Sequence, residues 1–324
     1  MTAMCKSAPK LKVIVLPLVI ASAIAALLNS AEAQIAVYDG FNYTAGTSIA
    51  GQSGGDSTGW GAAWASSTAG SKIATNTASG LTYGGLTTDG GALQVGTPQI
   101  ASGSGSAGGT TATAQRLLPD TLGNLAAANG GVLWLSFLIY NPTYPTTTYY
   151  RQSNLGFFSG ATGVNANGTE RADLGLDNGS ATVGINFSAW GGTVTAAAPN
   201  QSTVSVFSPD VQFVLMELLV DNTTAVDTYY TWVNTAPSTF ANNANTPIIS
   251  SAAVTNSGVD LSSVNALRFQ AGNANANGTN AFFTVDEIRL GDSFADVTPT
   301  PEPSTTALAA MGGAALLALI RRRK

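Results

Sequence analysis

Two kinds of side chain that do much of protein chemistry are missing from the working part of this chain. Its 324 residues contain no histidine, and the one cysteine, Cys5, lies in an N-terminal segment that the sequence marks for removal. Ser-His-Asp and Cys-His catalysis, imidazole or thiolate zinc sites, disulfides and histidine pH switches are excluded together. Carboxylates, amides, hydroxyls and aromatic rings remain. Paired carboxylates cleave glycosidic bonds when about 5 to 5.5 Å apart with retention, or about 6.5 to 9.5 Å apart with inversion. Along one face of a strand, residues two apart are separated by about 6.6 Å and residues four apart by about 13 Å. Glu217 and Asp221 are four apart, as are Asp173 and Asp177, while Asp286 and Glu287 are adjacent and expected on opposite faces. No local pair meets the requirement, so no catalytic residue is assigned; a pair assembled across strands stays open. Glu217 itself lies amid Leu215, Leu218 and Leu219. It is either functional or paired, or else a structural glutamate at a sheet edge or against an arginine.

The run Asn273-Ala274-Asn275-Ala276-Asn277-Gly278 has the spacing of the front half of a calcium loop. It offers neutral amides for carboxylates, and Thr284 stands where a bidentate glutamate belongs, so it reads as an Asn-rich turn and no metal or cofactor is expected. The aromatic residues carry the better binding signal. Trp134 and Tyr140 oppose a core face, Trp190 sits on a hydrophilic face, and Tyr230 and Trp232 share a face with Thr228 and Asn234. Rings next to amides and hydroxyls suit stacking on sugars; burial in a core is the competing reading for each of them. Trp60 and Trp64 are assigned to packing of the N-terminal loop.

These residues must be positioned by strands, because helical periodicity is nearly absent between Gln34 and Thr300. Leu133 to Tyr140 is the firmest strand, with Leu133, Leu135, Phe137 and Ile139 facing the core and Trp134, Ser136, Leu138 and Tyr140 opposite. Thr182 to Trp190, Val211 to Val220, Asp227 to Asn234 and Ala281 to Leu290 follow, and Val211 to Val220, apolar on both sides except Glu217, should be central. Weaker strands are read at Ile35 to Tyr38, Leu81 to Tyr83, Ala92 to Val95 and Thr111 to Leu118. Asn167-Gly168, Asn178-Gly179 and Asn277-Gly278 mark turns, Ser102 to Gly109 a flexible loop, and Leu122 to Ala128 one short helix. Many short strands without helical spacers predict an all-β, two-sheet antiparallel sandwich.

The two ends are devices of their own. Lys6, Lys10 and Lys12 precede an apolar run from Val13 to Leu28, and Ala31-Glu32-Ala33 supplies the small residues that a signal peptidase reads. Residues 1–33 are expected to be a signal peptide, 34–298 the sandwich and 299–324 a tail. Residues 34–300 hold sixteen acidic and six basic side chains, a net charge of −10. That makes nucleic acid an improbable partner, since binding its backbone needs clustered Lys and Arg.

The tail reads Pro301-Glu302-Pro303, then an uncharged run from Ala307 to Ile320, then Arg321-Arg322-Arg323-Lys324. Fourteen residues of helix cover about 21 Å against a hydrocarbon core of about 30 Å, which suits a transient hold better than a permanent anchor. The basic cluster keeps its end cytoplasmic. In order and position these parts resemble the PEP-CTERM sorting signal. The resemblance implies recognition by an exosortase at Pro301, Glu302 and Pro303, delivery to the surface or extracellular matrix, and a producer of exopolysaccharide. A second resemblance runs through Tyr38-Asp39-Gly40-Phe41-Asn42-Tyr43, Thr58-Gly59-Trp60-Gly61-Ala62-Ala63-Trp64, Asp227 to Asn234, and Val285-Asp286-Glu287-Ile288-Arg289-Leu290-Gly291. These pieces look like a concanavalin A-like, or laminin G-like, jelly roll. That likeness implies one concave sheet and a range from sugar binding to glycoside hydrolysis to adhesion. The E-x-D-x-x-E string typical of glycosidases related to this fold is absent. The expectation is therefore a non-catalytic, glycan-binding or structural surface protein, with a hydrolase or lyase as the alternative.

Overall fold

The computed structural model describes residues 35–54, 57–66, 75–84, 86, 88, 90–96, 112–142, 151–164, 166–176, 186–191, 200–222, 227–234, 249–251, 259–273 and 282–298. The signal peptide, the PEP-CTERM tail, the Ser102 to Gly109 loop, the Asn178-Gly179 and Asn277-Gly278 turns, and the helices expected at both ends lie outside these residues. Among the described residues no helix is long and apolar enough to cross a membrane.

The described residues form fifteen strands: β1 (Ile35–Asp39), β2 (Ala65–Ser66), β3 (Thr75–Thr77), β4 (Ala92–Val95), β5 (Ala112–Leu117), β6 (Val132–Tyr140), β7 (Arg151–Ser159), β8 (Thr169–Leu176), β9 (Asn186–Gly191), β10 (Asn200–Ser205), β11 (Gln212–Leu219), β12 (Thr228–Val233), β13 (Ile249–Ser251), β14 (Val264–Asn273) and β15 (Phe283–Gly291). Two short helices accompany them, α1 (Leu122–Ala127) and α2 (Phe294–Val297). Sheet A runs β13-β12-β11-β6-β15-β4-β3, with β1 added on β15, and sheet B runs β10-β9-β8-β7-β14-β5-β2. All pairings are antiparallel. The all-β, two-sheet expectation holds, and β11 is central, between β12 and β6.

The core lies between the sheets, where alternation points one side of each strand inward. Leu133, Leu135, Phe137 and Ile139 of β6 are buried there with Leu155 and Phe157 of β7 and Phe269 of β14. Phe137 meets Phe269 edge-on at 5.7 Å, and the Tyr229 hydroxyl donates across the sandwich to the Asp173 carbonyl at 3.1 Å. At one end Asp39 is buried in an ion pair with Arg116, and accepts from the Trp64 indole at 2.8 Å and the Tyr43 hydroxyl at 3.0 Å. Trp60 and Trp64 pack in this N-terminal segment, with Arg116 over both rings.

A second apolar layer covers the outer face of sheet A. Leu81, Tyr83 and Leu86 pack there against Phe213, Leu215, Leu138 and Trp232, together with Phe294 and Val297 of α2. α2 is closed by a capping box between Ser293 and Asp296, and Ser136 ties it to β6 by donating to the Val297 carbonyl at 2.6 Å. Gly291 permits the approach, since a Cβ there would stand 2.4 Å from that of Asp296. The strand expected at Leu81 to Tyr83 is thus corrected. Those residues are a cover whose Leu81 amide donates to the Asp286 carboxyl of β15 at 2.7 Å, instead of pairing in a ladder.

Candidate functional site

Four of the five aromatic residues singled out from the sequence come together on the outer face of sheet A. Alternation puts Trp134 and Tyr140 there from β6, and Tyr230 and Trp232 from β12. Trp134 and Trp232 stack at 6.1 Å, Tyr230 lies 6.4 Å from Trp232, and Phe294 meets Trp134 edge-on at 5.6 Å. For Trp232 the sequence leaves stacking on sugar and burial both open. Its 7 % exposure, with 8 % for Trp134, means that these rings spend most of their surface on protein, whereas Tyr140 and Tyr230 are half-buried. Tyr140 stands six residues beyond Trp134 along β6 and so forms the far end of the layer.

Glu217 sits in the middle of this face. Its Cα partners are Trp134 on β6 and Tyr230 on β12, so a carboxylate is flanked by two rings across three strands. The reading as a sheet-edge glutamate fails, because β11 is not an edge strand. The ion pairs among the described residues join Arg116 to Asp39 and Arg289 to Glu287. Glu217 is half-buried and has no hydrogen-bond or ion-pair partner among the described residues. Burial pushes its pKa above the ordinary glutamate value.

The outer face of sheet B is polar, and register arranges it in rows. One row runs Thr113, Gln270, Asn154, Gly175, Ser188, and the next Gln115, Arg268, Gly156, Asp173. Trp190, the fifth aromatic candidate, belongs to β9 of this sheet, where its backbone pairs with that of Asp173. A third row brings Phe158 of β7 opposite Glu170 of β8, because a bulge between Phe157 and Phe158 skips Arg171. Glu170 thereby joins Asp173 on one face, a carboxylate pair that regular spacing hides. Glu170 accepts from the Gln270 amide at 3.2 Å, and Asp173 from the Asn154 amide at 2.9 Å. Arg268 donates to Gln115 at 2.9 Å and lies 3.4 Å over the Phe158 ring. Burial pushes its pKa down to about 10, against the pull of Glu170. Gly156 lets the Phe158 ring and the Glu170 carboxyl close over β7, for a Cβ would stand 2.5 Å from Phe158 Cε2 and 2.6 Å from Glu170 Oε1 and displace them.

A second bulge corrects the expectation for Asp286 and Glu287. Register shifts between Asp286 and Arg289, and Glu287 takes φ 55°. Instead of being insulated on the opposite face, Glu287 helps to raise the pKa of Asp286 through its charge. Glu287 pairs with Arg289 and accepts from the Tyr38 hydroxyl at 3.2 Å. Both belong to the packing around α2 and the Leu81 cover. Among the described residues no group of three or more acidic side chains could hold a metal ion, and the Asn275 to Gly278 part of the calcium-like run lies outside them.

Comparison with solved structures gives likeness at very low identity. The endo-β-1,4-glucuronan lyase of the fungus Trichoderma reesei is 12 % identical, with 79 % of this chain and 99 % of that one covered at a TM-score of 0.47. The carbohydrate recognition domain of Emp46p is 9 % identical over 64 % and 85 % of the two chains, TM-score 0.39. The catalytic domain of the glycoside hydrolase family 131 protein from Coprinopsis cinerea is 13 % identical over 65 % and 74 %, TM-score 0.34. No curated protein matches the sequence. The tail does match: residues 299–324 fit the PEP-CTERM protein-sorting motif, so the chain carries the signal of exosortase-sorted export.

Proposed function

We propose that the sandwich is a non-catalytic glycan-binding protein, released by signal peptidase and exosortase and held at the cell surface or in its exopolysaccharide matrix. The observation that carries the reading is Glu217, a carboxylate in a central strand between Trp134 and Tyr230 with no partner among the described residues. A half-buried charge that lacks a partner costs stability. As an acceptor for sugar hydroxyls between two rings, it has a purpose. Tyr230 is the stacking surface, Trp134 and Trp232 the floor, and Tyr140 the far end of the patch.

A second reading has its own observation. Glu170 and Asp173 share the outer face of sheet B, and a pair of carboxylates is what glycoside hydrolysis requires. Binding is favoured because Glu170 accepts from Gln270 beside the Arg268 guanidinium, surroundings of a fixed acceptor rather than of a proton donor. Titration calorimetry and product release with β-linked hexasaccharides test the two readings together. The expected outcome is binding that weakens in Tyr230→Ala, without release of reducing or unsaturated ends. Turnover abolished by Glu170→Gln or Asp173→Asn would replace binding with cleavage.

A further inference from the structure

Among the described residues nothing on its face answers the charge of Glu217. The neighbouring outward residues on β11, Leu215 and Leu219, are apolar, and its register partners are rings. The described arginine on the same sheet face, Arg289, is engaged by Glu287 and lies 4.8 Å over the Tyr38 ring. A neutral sugar hydroxyl can donate to such a carboxylate but leaves its charge uncompensated in partly desolvated surroundings. A cation compensates it, and the flanking rings add to the attraction, since Trp and Tyr faces attract ammonium groups within about 6 Å. The strands that carry Trp134 and Tyr230 lie two spacings apart, about 9.4 to 9.8 Å, and the Trp232 ring packs against both rings, at 6.1 and 6.4 Å, as the floor on which a sugar would rest beside Glu217.

We infer that the glycan recognised by this patch carries a free amine: a hexosamine unit without its N-acetyl group, its ammonium bound by Glu217 between Trp134 and Tyr230. This rests on the glycan-binding reading of the same patch and narrows it to amino-sugar polymers. The net charge of −10 over residues 34–300 suits such a polymer as a partner.

The full chain in detergent is titrated with three hexamers of like backbone: β-1,4-linked glucosamine, its fully N-acetylated form, and the neutral glucose polymer. The free-amine hexamer should bind about ten-fold tighter than the other two. Glu217→Gln should bring the three affinities together. Asp210→Asn, which removes the same charge from an exposed position, should leave the preference intact. Equal affinity for all three hexamers in the unmodified protein would overturn the amine assignment while leaving glycan binding in place. Preference that survives Glu217→Gln, or that Asp210→Asn abolishes equally, would overturn it as well, by showing attraction to the overall charge. Binding of none of the three would remove the glycan-binding reading itself.

Discussion

A carboxyl group with 0 % exposure beneath a chain segment has to be neutral or compensated, and Asp286 is mainly neutral. Burial pushes its pKa up to about 9, the nearby Glu287 charge adds to the effect, and hydrogen bonds from the Leu81 and Glu287 amides and the Arg289 charge only partly oppose it. An ordinary aspartate releases its proton near 3.8. Between these values the folded state binds more protons than the unfolded one, so the stability from this group is full below about 3.8 and is lost as pH rises through about 9. Asp286→Asn does not titrate. Its stability relative to the unmodified protein should therefore climb with pH over that window, which urea midpoints at several pH values would show. A difference independent of pH would contradict the assignment of the proton to Asp286. The sequence shows Asp286 only as a strand carboxylate expected on the opposite face from Glu287, because the segment that buries it comes from residues some two hundred positions away. Glu217 was more legible. Its leucine neighbours made it conspicuous, but only the cross-strand register could show Trp134 and Tyr230 beside it.

Elements with an apolar run or clean alternation are legible, β5 and β9 with their polar outer faces included, whereas three other strands of sheet B are not. β6, β11, β12 and β15 alternate or are apolar throughout, and each was found within two residues of its ends. β7, β8 and β14 were missed, because their outward positions carry Asn154, Gly156, Asp173, Gly175, Arg268 and Gln270, which dilute strand propensity. Both bulges were invisible for a related reason. An extra residue is defined by the partner strand, and the single strand bears no mark of it. The Glu170–Asp173 pair and the Asp286–Glu287 coupling depend on these bulges. On sheet A the aromatic layer is the element that joins β6, β12 and α2, and Trp232 is its keystone between Trp134 and Tyr230. Trp232→Ala should cost about 3 to 5 kcal/mol in urea unfolding. A change within about 0.5 kcal/mol would mean that the layer does not hold the sheet face together.

At the scale of the molecule, two sheets present two different outer faces, one aromatic around an unanswered carboxylate and one polar with two carboxylates. The sorting tail supplies the export route and says nothing about which face meets a ligand. The five tryptophans are distributed so that they can decide. Trp134 and Trp232 floor the aromatic patch, Trp190 belongs to β9 of sheet B, and Trp60 and Trp64 are held at the Asp39–Arg116 pair. The measurement is the set of indole N–H resonances of the mature protein, assigned by single Trp→Phe variants and followed as the tightest-binding hexasaccharide is added. Glycan binding at Glu217 predicts that the Trp134 and Trp232 signals move while those of Trp60, Trp64 and Trp190 stay. Movement of Trp190 alone would place the sugar on sheet B and contradict the account.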